Sequence, residues 1–169
     1  MSETAGLKQI DRIIVADDHP VFRDAVISIL ADISPKSEIT EVGTFDDLVD
    51  ASERGVRPAL FLLDLHFPGM DLEKSVPQLR RKFPKCSIII ISMADDRGST
   101  ERVIEAGVDG FISKAATQIQ MRQAIKAVLA GEFVNLSASG GAIESGSASY
   151  FSQLTPRQMD VLRGIAEGQ

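Results

Sequence analysis

The sequence predicts an α/β fold, a doubly wound parallel sheet of five strands that alternate with five helices. Two largely apolar runs, residues 59–63 and 86–92, are too short for helices and suit strands that are buried on both faces. The segments around them repeat apolar residues at helical spacing. Strands that alternate with helices pair in parallel through right-handed crossovers, which places helices on both faces of the sheet.

The chain opens with two strands, each followed by a helix. Residues 12–16 are rich in β-branched side chains, which predicts the first strand. Pro20 begins the first helix, because proline is tolerated in the first turn, and Pro35 ends it. Residues 37–43 contain a weaker second strand, and Thr44 is the predicted N-cap of the second helix.

The third strand, residues 59–63, leads directly to an acid, Asp64. The Pro-Gly pair at residues 68–69 then predicts a sharp turn. We expect the third helix to begin near Ser75, with Pro77 in its first turn, where a missing N–H costs little.

The last two predicted strands, residues 86–92 and 110–112, flank a short fourth helix over residues 99–106. Thr117 and Gln120 form a capping-box pattern that predicts the start of the fifth helix. These elements suit the flavodoxin-like strand order 2-1-3-4-5.

Polar side chains gather at the carboxyl edge of this predicted sheet. In that strand order a crevice opens between strands one and three, which end at Asp17-Asp18 and at Asp64. Three carboxylates repel one another, so the arrangement favours a bound cation, and oxygen ligands suit Mg²⁺. Asp18 and Asp64 are the expected direct ligands. Ser92 and Lys114 follow strands four and five, and their hydroxyl and ammonium groups suit a phosphoryl oxygen.

Composition narrows the class of protein. The 169 residues can bury one substantial core, and the formal net charge of -6 argues against a nonspecific nucleic-acid or membrane surface. The single cysteine, Cys86, can form no internal disulfide and is expected in the core. With no signal-peptide pattern and no long apolar run, we expect a cytoplasmic protein.

A family resemblance rests on five residues and one loop: Asp17, Asp18, Asp64, Ser92 and Lys114, with Asp64-Leu65-x-x-Pro68-Gly69-Met70. Together they resemble the receiver domain of bacterial two-component response regulators, over residues 11–131. The resemblance implies that a histidine kinase presents a phosphohistidine and that Asp64 takes the phosphoryl group. It also implies Mg²⁺ held by Asp17, Asp18, Asp64 and the backbone carbonyl of His66.

The same resemblance implies a switch. Ser92 and Lys114 would grip the phosphoryl group of the product. Ser92 would shift toward that group and the ring of Phe111 would turn inward, which repacks the face made by helix four, strand five and helix five.

Some positions depart from the commonest family pattern. His66 stands where only the backbone carbonyl is needed for the metal, and we do not expect its ring to be a ligand. Phe67 replaces a frequent methionine, and Leu72 replaces a frequent glycine, which predicts a stiffer loop. Our hypothesis is that His66 and Ala94 set the hydrolysis rate of the acyl phosphate.

Beyond residue 131 the composition changes. Residues 132–153 are predicted as a flexible linker, because residues 137–149 are rich in Ser, Ala and Gly. Residues 154–169 resemble the first helix of a LuxR-type helix-turn-helix domain, as in NarL/FixJ regulators. The resemblance implies a transcription factor that pairs on phosphorylation, while this segment without a recognition helix is not expected to bind DNA specifically.

Two other classes of protein share some of these features. A haloacid-dehalogenase-like phosphatase also has an aspartate nucleophile and Mg²⁺, but that nucleophile follows the first strand and belongs to an Asp-x-Asp pattern. A pseudo-receiver would be a scaffold that never takes phosphate. The position of Asp64 after the third strand argues against the phosphatase. The presence of all five key residues argues against the pseudo-receiver.

Overall fold

Six parallel strands form one sheet in the computed structural model, which describes residues 11–93 and 97–137. The strands are β1 (Arg12–Ala16), β2 (Glu38–Val42), β3 (Leu60–Asp64), β4 (Ser87–Ser92), β5 (Gly110–Ser113) and β6 (Val134–Leu136). The helices are α1 (Pro20–Ile33), α2 (Phe45–Ser52), α3 (Leu72–Lys82), α4 (Arg97–Glu105) and α5 (Gln118–Leu129). No helix within these described ranges is long and apolar enough to cross a membrane.

The strand order is β2-β1-β3-β4-β5-β6, which confirms the predicted flavodoxin-like order and adds a strand at one edge. The prediction of five strands was therefore one short, since β6 lies in the range assigned to the linker. Val134 and Leu136 are 0% and 1% exposed and pair with Gly110 and Ile112 of β5. A run of three residues is too short to predict a strand from sequence. Burial of the Val134 and Leu136 side chains against β5 stabilises it. Residues 138–153 of the predicted linker and the helix predicted for residues 154–169 lie outside the described residues.

Alternate residues of the strands face opposite sides of the sheet and build two core layers. One layer packs against α2, α3 and α4, and the other packs against α1 and α5. The first layer includes Ile14, Phe61, Ile88 and Phe111; the second includes Ile13, Leu62, Ile89 and Val128. Cys86 is 2% exposed in the first layer, as expected.

The start of α3 corrects one prediction. The helix begins at Leu72 rather than near Ser75, and Pro77 lies inside it. The N–H of Ser75 donates to the carbonyl of Asp71 at 2.6 Å, so the first turn closes before the proline. Burial of the Leu72 and Val76 side chains offsets the hydrogen bond that Pro77 cannot make.

The predicted caps are present. The Thr44 hydroxyl accepts from the backbone N–H of Asp47, and Thr117 and Gln120 form the reciprocal capping box of α5. Pro20 lies in the first turn of α1. Helices α2 and α5 therefore begin where a local side chain satisfies a first backbone donor, and the proline at the start of α1 removes one such donor.

Gly110 marks a close approach between β5 and α5. A Cβ added there would lie 2.9 Å from Val128 Cγ2 and 3.7 Å from the carbonyl oxygen of Val134. We expect Gly110→Ala to lower the free energy of unfolding by about 1–3 kcal/mol, because the methyl group overpacks the core. Urea denaturation measures this change. Gly43→Ala is the matched control, since nothing lies within 4 Å of its added Cβ; equal effects at both positions would contradict the packing argument.

Candidate functional site

The ends of β1 and β3 bring two buried acids together. Ala16 pairs with Leu63 across these neighbouring strands, so the residues that follow them, Asp17 and Asp64, reach the same edge. Asp17 is 2% exposed and Asp64 is 3% exposed. Two carboxylates buried side by side need compensating charge.

Lys114 supplies part of that charge. Its backbone N–H donates to the carbonyl of Ser92 at 2.9 Å, which directs the chain from β5 toward the two acids. Its Nζ lies 3.0 Å from Asp17 Oδ2 and 3.1 Å from Asp64 Oδ2, and its side chain is 4% exposed. Nζ also lies 4.8 Å from the centre of the Phe22 ring, so the ammonium group is enclosed by acids and one aromatic face.

His19 is a member of the site that sequence reasoning used only as the start of a helix. Its Nδ1 lies 3.2 Å from Asp17 Oδ1, 3.3 Å from Asp18 Oδ1 and 3.4 Å from Asp64 Oδ2. Its ring is 64% exposed on the other side. The missed signal was Pro20, which restricts the preceding residue to extended conformations and so limits where that ring can go.

The four residues Asp17, Asp18, His19 and Asp64 form a group that could hold a metal ion. One ligand atom from each lies within 4.8 Å of all the others. Asp17 Oδ2 is buried, and the Lys114 ammonium group lies 3.0 Å from it. The pocket therefore presents several carboxylate oxygens to a cation, with one ammonium group beside them.

The loop after β3 holds the other side of Asp64. The backbone N–H of His66 donates to Asp64 Oδ1 at 3.2 Å, while the residue itself is exposed. Gly69 has φ +85° and lies against Phe45, whose N–H donates to the carbonyl of Pro68 at 2.9 Å. This turn fixes the peptide of His66 next to the carboxylate. Ala94, which our hypothesis pairs with His66, lies outside the described residues.

Ser92 and Phe111, the two predicted switch residues, lie on the neighbouring strands β4 and β5. Both are 0% exposed, and Ser92 pairs with Ser113 at the carboxyl ends of β4 and β5. Phe111 packs in the core layer beneath α4. Both predicted switch residues therefore lie inside the protein and not on its surface.

α4 is also tied to α3 by a surface pair. Arg102 donates from Nη2 to Glu73 Oε2 at 2.9 Å, and this hydrogen bond holds the pKa of the Glu73 carboxyl below its ordinary value. The contribution of Glu73 to stability is thus present above its unfolded pKa and lost as pH falls through the lowered pKa. Both side chains are exposed, so solvent screens the pair and the contribution is small.

The geometry suits one kind of chemistry. A buried carboxylate with a neighbouring ammonium group and a cation pocket can attack an electrophile that carries negative charge. The structure brings Asp17, Asp18, Asp64 and Lys114 together at one edge, with Ser92 adjoining through the backbone of Lys114.

Comparison with known proteins gives a consistent result. The family described as response regulator receiver domain matches residues 13–126. The glycerol metabolism activator of Pseudomonas putida is 30% identical, with 94% of this chain and 76% of that protein covered. The nitrate/nitrite response regulator protein NarL of Escherichia coli (strain K12) is 31% identical, with 92% of this chain and 75% of that protein covered.

A solved structure shows the same fold. The crystal structure of a two-component response regulator of the LuxR family from Aurantimonas sp. SI85-9A1 superimposes with a TM-score of 0.67 at 23% identity. The match covers 78% of this chain and 92% of that one.

Proposed function

Because this chain belongs to the family of response regulator receiver domains, whose general function is phosphorylation-dependent switching, we propose that Asp64 is its phosphoryl acceptor. The observation that carries the proposal is the position of Asp64 at the end of β3, 3% exposed and 3.1 Å from the Lys114 ammonium group. The donor is the phosphohistidine of a partner histidine kinase. Receiver domains are generally not counted as enzymes, and this one acts on its own aspartate.

The pocket residues fit the Mg²⁺ that receiver domains bind. Asp17, Asp18 and Asp64 offer the oxygen ligands that Mg²⁺ prefers. By the family resemblance, the backbone carbonyl of His66 would complete the protein ligands. The convergence of these three carboxylates, with Asp17 and Asp64 almost fully buried, supports this assignment. When bound, Mg²⁺ neutralises negative charge on the phosphoryl oxygens and the acids.

The transfer exchanges one bond for another. A carboxylate oxygen of Asp64 forms a bond to phosphorus while the bond from phosphorus to the kinase histidine breaks, and its electron pair returns to the imidazole nitrogen. Lys114 stabilises the charge on the phosphoryl oxygens, and the N–H of His66 orients the carboxylate. The residues of this chain thus supply alignment and electrostatic stabilisation.

After phosphorylation, the conformational change extends from the pocket to a surface formed partly by helices. Ser92 follows the phosphoryl group and Phe111 repacks, which changes the surface of α4, β5 and α5. We assign residues 11–136 to the receiver domain, the residues up to 153 to a linker, and 154–169 to the start of a LuxR-type DNA-binding domain. The full-length protein would then bind DNA, with pairing of two copies on phosphorylation, in the cytoplasm.

Phosphorylation of Asp64 can be measured directly. With Mg²⁺ and a small acyl phosphate, we expect intact mass to rise by one phosphoryl group in the wild type. We expect no change in Asp64→Asn or when a chelator removes the metal, because the nucleophile or its counter-ion is then missing. Asp71→Asn is the matched control, since that exposed carboxylate caps no backbone group.

A modification that persists in Asp64→Asn would contradict the proposal. It would move the nucleophile to Asp17 or Asp18, as in a phosphatase whose nucleophile follows the first strand. A wild-type chain that takes no phosphoryl group and no beryllofluoride would instead indicate a pseudo-receiver.

A further inference from the structure

We propose that the His19 imidazole is a direct ligand of the cation in the pocket of Asp17, Asp18 and Asp64. The site would then bind a nitrogen-seeking ion such as Co²⁺ through three carboxylates and one imidazole. The inference rests on the proposed function only in that it concerns the same pocket, and it names the class of cation that the pocket prefers.

The spacing of atoms around Nδ1 is that of ligands sharing one ion. Three carboxylate oxygens from three different residues lie 3.2, 3.3 and 3.4 Å from His19 Nδ1. Neighbouring ligands around an octahedral ion with bonds of about 2.1 Å lie about 3 Å apart. The distances around Nδ1 are therefore close to those that one shared ion would impose, while the side chain as a whole is 64% exposed.

The orientation of the ring gives a second observation. His19 Nδ1 also lies 3.0 Å from the Nζ of Lys114, so this ring nitrogen faces into the pocket. In the tautomer that carries its proton on Nε2, Nδ1 offers a lone pair there. A lone pair that faces the pocket is what metal ligation requires. The buried Oδ2 of Asp17 lies 3.0 Å from the same ammonium group and is a further anionic atom of the pocket.

The backbone holds His19 in this position. Pro20 restricts it to extended conformations, and its φ and ψ are -105° and 99°. Its N–H donates to Asp17 Oδ1 at 2.8 Å, and Arg23 donates to the carbonyl of Asp17 at 2.9 Å. These contacts fix the backbone of His19 beside the pocket, which limits the conformations that its side chain must lose when an ion binds.

An imidazole ligand changes which ions bind best. Mg²⁺ prefers oxygen and gains little from His19, whereas Co²⁺, Ni²⁺ and Zn²⁺ gain a favourable nitrogen ligand. Any site of this kind binds Co²⁺ more tightly than Mg²⁺. The ratio of the two affinities in the wild type therefore does not test the proposal. The dependence of that ratio on His19 is the distinguishing property.

The test is calorimetric titration of the full chain with Co²⁺ and, separately, with Mg²⁺. We expect His19→Ala to weaken Co²⁺ binding by about tenfold or more. We expect Mg²⁺ affinity to change by less than about twofold, because oxygen ligands dominate for that ion. Retained Mg²⁺ binding also shows that the variant is folded, and His19→Gln repeats the test with a longer polar side chain.

Nuclear magnetic resonance of the Co²⁺ form identifies the ligand directly. The chain has two histidines, His19 and His66. We expect a paramagnetically shifted imidazole N–H in the wild type and in His66→Ala, and no such signal in His19→Ala. The His66 variant is the matched control, because His66 reaches Asp64 only through its backbone N–H.

Unchanged Co²⁺ affinity in His19→Ala, or loss of the shifted signal in His66→Ala alone, would overturn the inference. Equal losses of Co²⁺ and Mg²⁺ affinity would also overturn it, since they would indicate a merely structural role. Phosphorylation of the wild type with Mg²⁺ is measured separately, so failure of the proposed function is distinguishable from failure of this ligand assignment.

Discussion

Replacing Lys114 with methionine is expected to lower the free energy of unfolding by about 3 kcal/mol in metal-free buffer. Its ammonium group lies 3.0 Å from Asp17 and 3.1 Å from Asp64, and those carboxylates are 2% and 3% exposed. Methionine keeps most of the side-chain volume but removes the charge. Two buried acids are then left without their shared cation, which is the costly way to break a buried ion pair.

Urea denaturation with and without Mg²⁺ measures this effect. Because a cation binds only the folded pocket, Mg²⁺ should restore part of the lost stability in Lys114→Met. Lys126→Met is the control, since Lys126 is exposed on α5. If both substitutions cost the same, the charge of Lys114 does not compensate the acids in the way that its distances indicate.

The second large effect is expected at Arg80, far from the pocket along the sheet. Its Nη2 lies 2.5 Å from Asp109 Oδ2, and Asp109 is 1% exposed. The same guanidinium donates to the carbonyls of Cys86 at 2.7 Å and Gly107 at 3.0 Å. Arg80→Met should lower the free energy of unfolding by about 3–5 kcal/mol, because it leaves a buried carboxylate without its ion-pair partner.

Thermal or urea unfolding measures the loss, and Arg81→Met on the exposed side of α3 is the matched control. The Asp109 carboxylate also accepts from the backbone N–H of Ile88 at 2.9 Å, so it holds β4 to the segment before β5. Double substitution with Asp109→Asn should recover part of the stability that Arg80→Met loses. The absence of any recovery would indicate that Arg80 acts through packing alone.

The ion pairs made by Asp109 and by Lys114 lie at opposite ends of β5. Asp109 precedes the strand, and Lys114 follows it. Phe111 lies between them with its ring fully buried. The strand that carries the proposed switch residue is therefore fixed at both ends by charge, and movement of Phe111 must be accommodated by the core layer beneath α4.

Much of the fold could be predicted from local patterns. The apolar runs that became β3 and β4 and the caps at Thr44 and Thr117 are properties of a few neighbouring residues. The start of α3 could not be predicted in the same way. Pro77 is a local signal against a helix, and burial of Leu72 and Val76 in the distant core outweighs it.

The sequence by itself determined the order of strands and helices and the edge of the sheet at which Asp17, Asp18, Asp64, Ser92 and Lys114 come to lie. It could do so because parallel strands joined by right-handed crossovers put all their carboxyl ends on one side. Only the tertiary structure decided the pairing of β6, the contact of Arg80 with Asp109, and the approach of His19 Nδ1 to three acids. Each of these depends on residues far apart in the chain or on a side-chain direction, and local periodicity carries neither kind of information.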